Sequence, residues 1–230
     1  MKILKLLSAT ALILLISACG GGGGGSSGPA TSTETFQIKT AFVNYFNSTG
    51  SLPFTVSGTS SGVSITGSGT LTGSTPVSAT FESMPALQKN EAITYTLTSN
   101  GVTATDASTS SSYVDSNYQP KGESNSEYSV VTSTTAIPVT AHVGDSGTWS
   151  TANRYTTSAK TSLLGTSTTS YVLEADTAST ALLKTISEDK DRSGATTVTT
   201  ISTYRITPAG AITRISVSVT KSPLFLTYTF

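Results

Sequence analysis

Few side chains in this sequence carry reactive chemistry: there is one histidine and one cysteine in 230 residues. The histidine lies in His142-Val143-Gly144-Asp145-Ser146-Gly147, close before a serine in a Gly-Asp-Ser-Gly string. A serine nucleophile needs a histidine base on its hydroxyl and a carboxylate that orients the histidine. A histidine so near along the chain suits a turn leading into a Thr148-Trp149 strand better. Gly-x-Ser-x-Gly occurs from Gly58 to Gly62, and again from Gly24 to Gly28 inside a glycine-rich run. A nucleophile elbow needs a helix after it, whereas a strand is expected after Gly62. Asp189, Asp191, Ser193 and Gly194 are spaced like the first half of a calcium loop, whose twelfth position is Glu. Here that position is Thr200, and Lys190 and Arg192 dilute the negative charge, so a polar hairpin tip is expected. Glu174 and Asp176 share one face of an expected strand. Paired carboxylates can cleave glycosides, but one solvated face is the simpler reading. Trp149 and the tyrosines either line a carbohydrate or lipid site or form core and rim. No catalytic, cofactor-binding or metal site is assigned, and no cofactor is expected.

The cysteine is different. Lys2 and Lys5 precede a mostly apolar run over residues 6–16, and small residues follow. A positive start, a short apolar middle and a small-residue cut site make a secretory signal. The apolar run falls short of the roughly 20 residues that span a bilayer as a helix. Ile16-Ser17-Ala18-Cys19 resembles a lipobox, the processing site of bacterial lipoproteins: an aliphatic residue, two small residues, then cysteine. The resemblance covers about twenty residues and implies removal of residues 1–18. It implies a diacylglyceryl group on the Cys19 sulfur and an acyl chain on its freed amine. Two or more chains anchor stably where one gives marginal binding. Gly20 after the cysteine, in place of Asp, implies the outer membrane of a Gram-negative cell. Cys19 has no second cysteine to pair with, which suits lipidation better than an oxidising compartment would suit a free thiol. The membrane, through lipid on Cys19, is the one partner the residues name.

Residues 20–25 are an unbroken glycine run, followed by Ser26-Ser27-Gly28-Pro29. Residues 19–35 are therefore read as the lipidated cysteine and a flexible tether with a reach on the order of 20–24 Å. Loss of Lys2 and Lys5 leaves eleven basic against thirteen acidic side chains. Without a basic patch, nucleic-acid binding is rejected. Ser and Thr make up about a third of the chain, far above ordinary usage. The richness in Thr, Val, Ile and Tyr suits pleated, half-buried strands.

Residues 36–230 are read as a single antiparallel β domain. Alternation marks Phe54 and Val56, Val77 to Phe81, Ile93, Tyr95 and Leu97, Tyr171 to Ala175, Val198 to Ile206, and Ile215 to Val219. Asn100-Gly101 is a strong hairpin signal. Gly67-Ser68-Gly69 reads as an interruption between two short strands. Residues 36–46 mix helical and alternating spacing, and their aromatic and β-branched content favours a strand. Residues 177–188 fit helix or strand equally. The expected fold is all-β, an antiparallel sheet curled into a barrel or half-barrel, with a two-sheet sandwich as the alternative. Leu224, Leu226, Tyr228 and the final Phe230 share one parity, which resembles the C-terminal signal of outer-membrane β-barrels. An integral barrel needs an apolar lipid face on every strand, and most strands here carry Ser and Thr on both faces. The expected function is a non-catalytic, lipid-anchored envelope protein that holds a hydrophobic or envelope ligand. The alternatives are a surface-displayed structural or adhesive protein and a small integral barrel.

Overall fold

A computed structural model describes residues 32–230. The signal segment, Ile16-Ser17-Ala18-Cys19 and most of the glycine-rich tether lie outside the described residues. The described residues form one helix, α1 (Ile38–Asn47), and then strands alone. The first are β1 (Gly50–Ser60), β2 (Val63–Gly73), β3 (Val77–Phe81), β4 (Met84–Ser99) and β5 (Val102–Val114). Two short strands follow, β6 (Pro120–Ser124) and β7 (Tyr128–Thr134). The rest are β8 (Ser146–Tyr155), β9 (Leu163–Ala175), β10 (Ala181–Asp191), β11 (Thr196–Ile206), β12 (Ile212–Lys221) and β13 (Leu224–Thr229). Every pairing is antiparallel, and successive strands are neighbours except β2 and β3. β2 also pairs with β4, and β13 returns to β1, so the sheet closes into a 12-strand barrel. β3 is the additional strand, paired to the lower part of β4. The fold is thus the barrel of the two expected architectures.

Tight turns build one end of the barrel. Ser61-Gly62 and Asn100-Gly101 have φ of 50° and 80°, and 50° and 73°. Positive φ at both central residues suits the twist of a hairpin, and Gly or Asn adopts it at least cost. Longer connections and α1 occupy the other end.

Two expectations are corrected. Residues 36–46 are not a strand: only Phe36 pairs, through an isolated bridge to Ala141, and the helix begins at Ile38. Ile38, Ala41 and Phe46 lie at helical spacing and are buried. Packing that stripe against Trp149, Leu173, Leu183, Tyr204 and Ile206 at the barrel end outweighs the residues' strand preference. The second correction concerns Gly67 and Gly69, which lie inside one continuous strand, β2. A Cβ on Gly69 would overlap the Phe54 ring and the Thr94 carbonyl, and one on Gly67 would overlap Leu97 and the Thr96 carbonyl. These glycines make room for interior side chains. Residues 177–188, left open between helix and strand, enter β10 at Ala181.

Strand pleating sends alternate residues to opposite faces. Phe54, Val56, Ile65, Leu71, Tyr95, Leu226 and Tyr228 point inward and are buried together. Their neighbours point outward and are hydroxyl residues, except Pro53 and the exposed Phe225. One outer row runs Ser216, Thr229, Thr55, Ser68, Thr96 and Thr105 across six strands. Hydroxyls meet across strands, Thr96 to Thr105 at 2.9 Å and Thr98 to Thr103 at 3.0 Å. Such cross-strand pairs contribute modestly to the sheet. Part of the high Ser and Thr content is this outer wall.

Candidate functional site

The interior is not filled all round. A cavity of about 870 Å³ lies on the β5–β10 side, with Phe42 and Tyr45 of α1 at its capped end. Its wall carries hydroxyls such as Ser108, Ser110, Thr185, Ser187 and Ser202, with charged groups between them.

Beneath α1 the charges form a knot. The Tyr45 hydroxyl donates to Glu91 Oε1 at 2.9 Å and accepts from Arg214 Nη2. Lys89 Nζ donates to the Tyr45 carbonyl at 2.9 Å and lies 3.6 Å from Glu91. The Arg214 guanidinium sits 5.1 Å from the Tyr45 ring centre, 5.6 Å from Tyr204 and 5.3 Å from Phe230. Cation–π attraction and the Nη2 hydrogen bonds offset part of the loss of water around the guanidinium, whose buried Nε has no partner among the described residues. Burial, then Tyr204 and Glu91, hold the Tyr45 phenol well above its usual range, so it remains a neutral donor. Burial lowers the Lys89 ammonium against the opposing pull of Glu91.

A second set lies nearer the tight-turn end. Arg154 donates to Glu127 Oε2 from Nε at 3.0 Å and from Nη2 at 2.6 Å, and Nη2 is 3.4 Å from Asp189 Oδ2. Burial nevertheless raises the Asp189 carboxyl above its usual range, Arg154 acting against it. Glu123 has no cation or hydrogen-bond donor on its carboxylate among the described residues. Enclosure by the wall, then the carboxylates of Asp189 and Glu91, push it upward. Its side chain faces open lumen and is reached by solvent, which tempers that shift. Asp106 accepts from the Tyr95 hydroxyl at 3.3 Å and the Ala107 amide at 2.8 Å.

The wall has a lateral break. β5 pairs with β4 along its whole length but with β6 only from Ser111 to Val114. Among the described residues, 102–110 therefore have no strand on their second edge. Asp106, Ser108 and Ser110 on that edge line the cavity, as do Asn125, Ser126 and Glu127 of the β6–β7 turn. The short strands β6 and β7 make a low stretch of wall, and the cavity extends along it.

The motifs flagged in the sequence fall elsewhere. His142 Nε2 meets the Thr35 hydroxyl at 3.0 Å at the capped end, while Ser146 opens β8. Ser60 ends β1, Ser61-Gly62 turns the chain, and strand β2 follows. Asp191 Oδ1 accepts from the Ser193 and Ala195 amides within the β10–β11 hairpin tip, while Asp189 pairs with Arg154. Glu174 pairs with Lys184 at 2.6 Å and Asp176 with Arg205 at 2.6 Å, each carboxylate with its own cation. Trp149 is buried at the capped end between Phe42 and Tyr171, at ring-centre distances of 5.9 and 5.2 Å, and its indole N–H is unpartnered. Cys19 lies outside the described residues.

Glu91, Glu123, Glu127, Arg154 and Arg214 escaped the sequence reading. One signal was available: Glu91 has the parity of Ile93, Tyr95 and Leu97, so a charge stood on an apolar face. No family model, curated protein or solved structure matches the chain.

Proposed function

We propose that this chain is a lipid-anchored, non-catalytic binding protein of the Gram-negative envelope, which holds a ligand inside its barrel. Cys19 carries the acyl chains to the outer membrane, and the glycine-rich segment spaces the barrel from the headgroups. The observation that carries the reading is the cavity of about 870 Å³, within the size range of ligand sites. Its mixed lining supports an amphipathic or charged occupant over a plain hydrocarbon chain. The integral-barrel alternative finds less support. The outward rows are mostly Ser and Thr, with Val172, Ile186, Ile201 and Phe225 scattered among them, where a lipid face requires a continuous apolar band. Leu226 and Tyr228 of the C-terminal pattern point into the barrel.

The test joins anchor and cavity. Wild type should sediment with membranes, and Cys19→Ser should be released. Native mass measurement of the protein taken from the envelope should show a bound mass that Ser202→Trp, which fills the lumen, lacks. Retention of Cys19→Ser in membranes, or equal masses with and without the lumen filled, would overturn the reading.

A further inference from the structure

We propose that the lateral break receives an extended segment of a partner protein, added as a strand to the free edge of β5, with a basic side chain turned into the lumen. This rests on the lumen being the binding site and names its occupant.

An unpaired strand edge presents a row of N–H and C=O groups to any chain that can lie along it. Residues 102–110 leave such an edge open. Proteins guard edges with lysine, proline, bulges, short strands, a covering loop or an inward-pointing charge. This edge has Val102, Thr103, Ala104, Thr105, Ala107 and Ser108, all small and uncharged, and its register shift lies beyond it, at Tyr113/Val114. Inward-pointing Asp106 is the single guard of this kind, and only a strand that carries a cation opposite it would neutralise its cost. Main-chain bonds supply affinity in strand addition, and alternate side chains supply specificity.

An inward side chain of an added strand would stand beside Asp106, while Glu123 of β6, opposite Ser112, lies past the end of the free edge. Glu127 and Asp189 already share Arg154, and Glu91 has Lys89 and Arg214. Asp106 has only a hydroxyl and an amide, and Glu123 has neither. A Lys or Arg on the incoming strand supplies the missing cation, whereas an acidic strand adds repulsion. The same argument selects between occupants. The β5 edge of a second copy would bring another Asp106 and no cation. The chain's own tether has no Lys or Arg between Gly20 and Ile38. Lys2 and Lys5 lie in the segment that the proposed function removes, so on that reading a basic segment of a different protein remains.

The probe is the capped peptide Thr-Ser-Val-Lys-Val-Ser-Thr, added to the full chain. Controls are the same peptide with Glu for Lys, the Lys peptide N-methylated at alternate amides, and pentane-1,5-diamine. Amide hydrogen exchange reports each segment. The Lys peptide should slow exchange across residues 102–110 about tenfold, and the three controls should leave it unchanged. Asp106→Asn with Glu123→Gln should weaken the Lys peptide about tenfold, the scale of a charge-assisted hydrogen bond. Equal protection by Lys and Glu peptides would overturn the charge argument and with it the proposal. Protection by the methylated peptide or the diamine alone would overturn strand addition. If no peptide protects β5 while the envelope-derived protein still carries a bound mass, the strand proposal fails and the lumen reading stands. Absence of a bound mass removes the lumen reading itself.

Discussion

The two sides of the barrel interior belong to one sheet and are built differently. On the β13–β1–β2–β4 side, Phe54, Val56, Ile65, Leu71, Tyr95, Leu226 and Tyr228 fill the space between the walls. On the β5–β10 side, equivalent inward positions carry Ser108, Ser110, Ser167, Thr185 and Ser187, and the space remains open. The first side buries apolar surface, worth about 25 cal/mol per Å² removed from water. The second keeps hydroxyls and charges in contact with a solvated lumen. On the proposed function, the packed wall, together with the cluster under α1, holds the barrel and the hollow wall holds the ligand.

The difference predicts unequal responses to substitution. Phe54→Ala should cost about 4 kcal/mol, since it removes a buried ring and leaves a cavity; the midpoint of denaturant unfolding measures it. Gly69→Ala should cost about 2 kcal/mol by overpacking against Phe54, and pairing it with Phe54→Leu should recover part of that loss. Glu123→Gln should have the opposite sign and a pH signature. The folded state raises this carboxyl, so it holds the proton more tightly than the unfolded chain does. Its contribution favours folding at low pH and is lost as pH rises from the ordinary glutamate range through the folded value. The variant should therefore be more stable than wild type at neutral pH, and the gap should close below about pH 4. Ser187→Ala should change stability by less than about 0.5 kcal/mol, because its 3.2 Å contact with Ser167 lies in the open lumen. A large loss there would show that the hollow side is structural.

How much of this was legible in the sequence depended on distance along the chain. Alternation at Ile93, Tyr95 and Leu97 and the Asn100-Gly101 turn marked local strands and a hairpin, and both lie where they were read. Closure was not local: it requires Thr55 to meet Thr229, and the sequence left barrel, half-barrel and sandwich open. The helix α1 was missed because its spacing competes with a β-rich composition, and only the barrel end it caps decides the matter. The charged lumen was hidden for the same reason. Arg154 reaches Glu127 and Asp189 only after three separate hairpins are brought round one ring. The free edge of β5 depends on where β6 stops pairing, at Ser111, which no composition signal marks.

Filling the hollow side is the most direct test of this division. Ser202→Trp places a large side chain in the lumen, and unfolding and bound mass are measured on the same preparation. The account predicts an unfolding free energy within about 1 kcal/mol of wild type and loss of the bound mass. A drop comparable to that of Phe54→Ala with the bound mass retained would contradict it.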